Sequence, residues 1–216
     1  MDAGFAAAAE RRAGAPRAYG GVSYVTVLMV AGIAAAAARF AGVRLNTVAI
    51  AVFNDDEAAT LCRFAWDHGC VPRFIEHMPM SEGALYSPTR LLPAAQIRTL
   101  VEAHAGPLVP DDPPGPASLS GPARYHRTRA GKRVGIISAM SENFCSTCNR
   151  VRLTATGALH TCLAHDDATN LRRLVRAGAG DDDLAEAVRS AVAGKRQGHE
   201  FQTTGCGGPR KHMVSI

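Results

Sequence analysis

Three of the six cysteines in this 216-residue chain stand close enough in sequence to act together. Cys145 and Cys148 form a CxxC pair in the stretch FCSTCNRVRL, and thirteen residues separate Cys148 from Cys162. A CxxC on a loop lets two sulfurs turn toward one centre, and a hairpin after it would carry Cys162 back to them. Three thiolates admit two metal readings. One is a four-iron cluster: such clusters are normally held by four cysteines, so three leave one iron open to a further ligand. The other is a structural zinc completed by His160 or His165 as a Cys3His set. The bland alternative is three buried thiols with no metal. Cys62 and Cys70 are isolated and read as small core residues. Cys206, in TTGCGGP, reads as a free thiol on a loop.

Spacing alone favours zinc, and the neighbouring arginines favour the cluster. Arg150 and Arg152 lie two apart beside the cysteine loop, so on a strand they would share a face. Two guanidinium forks on one face suit a polyphosphate. A zinc knuckle has no need of them. The competing reading is a pair of solvated surface arginines.

These residues need a scaffold. The run VRLNTVAIAVF, Val43 to Phe53, reads as a buried strand, and Asn54 offers an N-cap to a helix over Asp56 to Asp67. CVPRFIEHM reads as a second strand despite Pro72, and Leu91 to Ala105 as a helix. Strand, helix, strand, helix in that order implies βα units with parallel strands. The stretch Gly106 to Pro122 holds six prolines and reads as a linker without regular structure. Beyond it, RVGIISAM is an apolar strand, RVRLTATGALHTCL a hairpin turning at Thr156-Gly157, and DDDLAEAVRSAVAGK a helix with acids at its start and Gly194-Lys195 at its end.

Composition bounds the rest. Apolar residues make up 47% and charged residues 20%, which is globular rather than disordered. A net charge of +5 without a block of like charges suits an anionic ligand and argues against nucleic acid. The uneven clustering of the cysteines points to metal chemistry in a reducing compartment, hence the cytoplasm. Val22 to Ala38 carries no charge, but it falls short of the roughly 18 residues of a membrane span. It is alanine-rich and interrupted by Ser23, Tyr24 and Thr26, so a soluble helix is expected rather than a span. The Arg11-Arg12 pair is separated from it by Gly and Pro, which argues against an export signal.

The segments GPARYHR, RVGIISAMSENFCSTCNRVRLTATGALHTCL and LRRLVRAGAGDDDLAEAVRSAVAGKRQGH resemble the C-terminal part of the GTP 3',8-cyclases of molybdenum-cofactor biosynthesis, which are radical S-adenosylmethionine (SAM) enzymes. VRLNTVAIAVFNDDE and RFIEHMPM resemble their last barrel strands. The resemblance runs from about Ile33 to Met213. It implies a partial parallel βα barrel followed by a small α+β region that binds a cluster. The corresponding segments are a poorly ordered lead over 1–32, a barrel remnant over 33–105, a linker over 106–122 and an iron–sulfur and GTP-binding region over 123–216. It further implies that Cys145, Cys148 and Cys162 hold a [4Fe–4S] cluster whose open iron takes the guanine of GTP. Arg150, Val151 and Arg152 match the family's GTP-binding run, and Arg73 matches a substrate-facing barrel arginine. Arg44 stands where the family usually has a lysine. Met78 matches a residue of the SAM site. Glu76 receives no role.

In the complete enzyme a 5'-deoxyadenosyl radical made from SAM takes the ribose 3' hydrogen of GTP, and the carbon radical attacks guanine C8. The CxxxCxxC motif that holds the family's SAM-cleaving cluster is not in this sequence, and its last residues, MVSI, do not match the family's terminal double glycine. The resemblance therefore implies a chain that keeps the substrate-holding part of a cyclase. Exposed strand edges lead us to expect a homo-oligomer or a partner chain that completes the barrel. A non-catalytic GTP- or cluster-binding module and a zinc-stabilised interaction domain are the alternative readings.

Overall fold

The computed structural model describes residues 24–79, 86–111, 121–165, 167–199 and 201. Cys206, the C-terminal residues, most of the lead and the centre of the proline-rich stretch lie outside them. The expected alanine-rich helix is present as α1, Tyr24–Arg39. No helix among the described residues is long and apolar enough to cross a membrane. Chain contacts divide the molecule into two units. One carries α1 to α3 and the five-stranded sheet, and the other carries Glu76–Leu91 and the residues from Ser138 onward.

The first unit is a mixed α/β sheet in the order β1-β2-β5-β4-β3. Its strands are β1 (Arg44–Ala49), β2 (Val71–Glu76), β3 (Val109–Pro110), β4 (Arg124–Arg127) and β5 (Arg133–Ile137). β2 and β5 run parallel, with Phe74 opposite Ile136, whereas β4 is antiparallel to both β5 and β3. Helices α2 (Ala58–Asp67) and α3 (Ala94–Ala105) follow β1 and β2. Strand alternation sends Ala49, Phe74, Val134 and Ile136 to one face, where they form a core with Ala58, Cys62, Ile97 and Val101 of the two helices. The Trp66 indole N–H ties α2 to β5 through the Arg133 carbonyl, at 2.7 Å.

The expected elements differ from this structure in three places. The first strand stops at Ala49, not Phe53, because the chain turns through Val52 at φ 63°. Asn54 does not cap a helix with its side chain. It closes the turn instead, accepting the Ile50 N–H at 2.8 Å and donating to the Val48 carbonyl at 2.9 Å. Regular structure also enters the proline-rich stretch as β3, whose Pro110 pairs with His126. An edge strand tolerates proline, since only one side of it has to bond. Strands from both sides of that stretch thus share one sheet.

The second unit contains a small antiparallel sheet of β6 (Arg152–Leu153), β7 (Ala158–His160) and β8 (Ala168–Asn170). α4 (Leu171–Arg176) and α5 (Asp181–Ala193) follow it. The β6–β7 hairpin turns where expected: Gly157 N–H donates to the Thr154 carbonyl at 2.9 Å with Gly157 at φ 79°. A Cβ there would stand 2.6 Å from Cβ of Arg172, so this turn requires glycine twice over. Asn170 starts α4 by accepting the Arg173 N–H at 2.9 Å. Asp183 secures the start of α5 by accepting the Gly180 N–H at 3.1 Å.

Candidate metal centre

The cysteine loop begins at the end of β5 and is gripped at its start by one carboxylate. Glu76 is fully buried, at 0% exposure. Its Oε2 accepts the N–H groups of Met140 at 2.6 Å and Ser141 at 2.9 Å, and the Ser141 hydroxyl donates to Oε1. A buried charge needs this many donors to replace the water it has lost. Ser138 donates to the Glu142 carbonyl at 3.2 Å, and His199 Nε2 lies 2.7 Å from the Ala139 carbonyl. Asn143 Oδ1 then accepts the Cys145 N–H at 2.6 Å, and its Nδ2 stands 3.3 Å from His199 Nε2. A short 3-10 turn, Cys145–Thr147, leads to Cys148, whose N–H returns to the Cys145 carbonyl at 3.1 Å.

All three cysteines are half-buried and unpaired. Burial raises the Cys145 thiol, opposed by the His199 backbone N–H, while the charges of Cys162 and Cys148 raise it further and the Asn143 side chain opposes them. Cys148 moves the other way. Burial alone would raise it, but the Arg150 backbone N–H, the Arg150 guanidinium and Lys195 together hold it below its ordinary value. Cys162 accepts the Ala164 N–H at 3.4 Å. Each of the three sulfurs therefore receives at least one N–H donor. At Cys148 the balance favours the thiolate, whereas at Cys145 burial still outweighs the donors. Among the described residues no three His, Cys, Asp or Glu side chains converge on a single-ion site. His165, one of the two candidates to complete a zinc set, is buried with Nε2 3.1 Å from the Gly198 carbonyl, and its Nδ1 has no hydrogen-bond partner.

The arginine pair is arranged differently from a simple strand. β6 begins at Arg152, so alternation covers only one member. Arg152 sits opposite His160 in the hairpin. Arg150 lies ahead of the strand, its carbonyl held by Lys195 at 2.8 Å instead of by a ladder, and its guanidinium stacks 5.1 Å above the Phe144 ring. Val151 between them is exposed. Met78 packs with Cys162 in one small apolar cluster built around Met140, Ala164 and Phe201.

Arg44 and Arg73 belong to the other unit. Arg73 Nε donates to Asn46 Oδ1 at 2.8 Å. Alternation along β1 puts Arg44 on the same face as Asn46, opposite the helix-packed core. Gly135 makes that position of Arg73 possible, since a Cβ on it would lie 2.9 Å from Arg73 Cγ and 3.0 Å from Tyr125 Cε1. Sequence reasoning missed Lys195, His199, Asn143 and Glu76 as parts of the site. Lys195 and His199 are about fifty residues from the CxxC pair in sequence, and a lysine after a helix ordinarily signals only a helix end.

The chain is similar to known proteins over most of its length. The Molybdenum Cofactor Synthesis C family matches residues 71–201. A GTP 3',8-cyclase of Caulobacter vibrioides is 40% identical over 182 residues, which is 81% of this chain and 49% of that protein. The GTP 3',8-cyclase of Agrobacterium fabrum is 44% identical over 168 residues, 76% of this chain and 47% of its own length. That of Rhodobacter capsulatus is 42% identical over 175 residues, 79% and 51% respectively. The chain spans about half the length of the curated relatives it matches. With more than half of its residues inside the matched region, the chain belongs to the Molybdenum Cofactor Synthesis C family.

Proposed function

We propose that this chain is the substrate-holding portion of a GTP 3',8-cyclase, with Cys145, Cys148 and Cys162 as ligands of a [4Fe–4S] cluster. The observation that carries this reading is the N–H donor on each of the three sulfurs. A four-iron cluster spreads its thiolates over the corners of a cube, so it asks less convergence of three sulfurs than a single zinc does. When bound, the cluster supplies an open iron position for the purine.

The protein's own residues do the rest. Arg150 and Arg152, with Val151 between them, grip the phosphates of GTP through charge-assisted hydrogen bonds. The family resemblance further gives Arg73 and Arg44 a part in binding GTP and Met78 a part in binding SAM. The parallel β2–β5 pair with helices packed on one face supports reading this part of the sheet as a segment of a βα barrel. A second copy or a partner chain completes the barrel, and the complete assembly works in the cytoplasm.

Metal and sulfide analysis of anaerobically purified protein tests this reading. About four irons and four sulfides per chain are expected, lost in Cys148→Ala, with a spectral change when GTP is added. One zinc per chain without sulfide would overturn it. Sedimentation of the same sample tests the assembly, and a well-behaved monomer with cooperative unfolding would count against the missing-strand partner.

A further inference from the structure

We propose that Lys195 is a positioning residue of the cysteine site, holding the Cys148–Arg150 segment and tuning the Cys148 sulfur. The proposal rests on the reading of the three cysteines as cluster ligands. α5 ends at Ala193, and the Lys195 N–H closes the helix on the Val192 carbonyl at 3.1 Å. Its side chain then leaves the helix and is half-buried. An ammonium has three N–H donors and no acceptor. All three have partners in one place: the Cys148 carbonyl at 2.7 Å, the Arg150 carbonyl at 2.8 Å and Cys148 Sγ at 3.3 Å.

Two of these bonds bracket Asn149. By drawing the carbonyls of Cys148 and Arg150 onto one nitrogen, Lys195 curls the segment and turns the Arg150 N–H onto the Cys148 sulfur. The curl also fixes where the Arg150 side chain starts, and hence where its guanidinium can reach. The third bond acts on the metal ligand itself. A cation donating a hydrogen bond to a ligating sulfur stabilises the more negative, reduced state, because charge and hydrogen bonds to the sulfurs set a cluster's potential. A side chain that only ended a helix would act on neither.

The test compares the full chain carrying Lys195→Met, Lys195→Gln or Lys195→Arg with the unsubstituted protein. Met keeps the aliphatic stem, Gln retains a polar head should Met unfold, and Arg keeps the charge. A redox titration followed by electron paramagnetic resonance should show the midpoint potential moving negative in Met and Gln and at least partly recovering in Arg. Amide hydrogen exchange of residues 148–152 in the metal-free protein should speed up in Met and Gln. An unchanged potential and unchanged exchange would overturn the proposal. If the unsubstituted protein holds zinc or no cluster, the cluster reading has failed by itself. The exchange measurement then decides whether Lys195 holds the segment: faster exchange supports that part and unchanged exchange overturns it.

Discussion

The two units hold themselves together by different means. In the sheet unit, the buried residues are apolar side chains meeting across a layer: Phe74, Val134 and Ile136 against Cys62, Ile97 and Val101. In the cysteine unit the buried apolar cluster is Met140, Ala164 and Phe201, and polar groups do more of the fastening: Glu76 on Met140 and Ser141, His199 on Ala139, and Lys195 on Cys148 and Arg150. Cysteine itself shows the contrast. Cys62, on the buried face of α2, is an inert core residue whose thiol burial pushes up to about 12, while Cys148 is held below its ordinary value by the cations and N–H donors around it. A layer of side chains is stabilised by area and tolerates loss gradually. A loop held by a few hydrogen bonds is specified by particular atoms and fails at particular atoms.

The largest effect should come from breaking the layer. Phe74 is 2% exposed and central to the core. Phe74→Ala should cost about 3–5 kcal/mol, seen as a lower urea midpoint for loss of helical signal. A loss below about 1 kcal/mol would mean that the sheet unit is not held by its apolar layer. Next comes the buried carboxylate. Glu76→Leu removes the acceptor of both backbone N–H groups now on Oε2 and leaves them buried without a partner. The expected cost is about 2–3 kcal/mol. Hydrogen exchange should rise at Met140 and Ser141 well before it rises at Ile136. Uniform loss of protection across both regions would erase the distinction between them.

What could be read from the sequence follows the same division. The core face of the sheet was legible because strand alternation and helical spacing are local, and Phe74, Ile97 and Val101 fall where those periods put them. The cysteines and the hairpin were legible for the same reason, since CxxC and Thr156-Gly157 act within a few residues. β3 and β4 were not, because pairing with a neighbour made strands of short segments with weak patterns of their own, and Val109–Pro110 sits in a stretch whose prolines argue against any strand. Glu76 and Lys195 were invisible as parts of the site, because each acts across 45 to 65 residues of sequence on a partner no periodicity announces. Asn54 misled by type: an asparagine ahead of a helix is a cap by preference, but here its amide found closer partners in the turn before it.

A smaller effect separates the hairpin from the loop it follows. Gly157→Ala places a Cβ 2.6 Å from Arg172 at a φ of +79°. The cost should be about 1–3 kcal/mol. If the hairpin is what carries Cys162 toward the other two cysteines, this variant should also bind less iron per chain, while Thr156→Ala, which leaves the glycine in place, should bind as much as the unsubstituted protein. Equal iron in the glycine variant would show that Cys162 reaches its place without this turn.

The smallest effect tests the polar exception in the apolar unit. Burial alone would raise the Asp111 carboxyl, but the Arg127 hydrogen bond and the charges of Arg133 and Arg127 outweigh it and hold it below its ordinary 3.8. The Arg127 fork reaches Asp111 Oδ1 at 2.8 Å and Oδ2 at 3.0 Å, and half of that arginine's side chain remains exposed. A depressed carboxyl binds its proton more weakly in the folded state than in the unfolded one. The pair's contribution is therefore complete above the ordinary value and is lost as pH falls through the lowered one. For so exposed a pair it should amount to no more than about 1 kcal/mol. Urea midpoints measured from pH 6 down to pH 3 should fall slightly less steeply in Asp111→Asn than in the unsubstituted protein, and the two curves should converge at the acid end. Identical slopes would mean that Asp111 joins β3 to the sheet by its backbone alone, its N–H bonded to the Tyr125 carbonyl at 2.9 Å, and that the sheet unit is as purely apolar in its stabilisation as its core suggests.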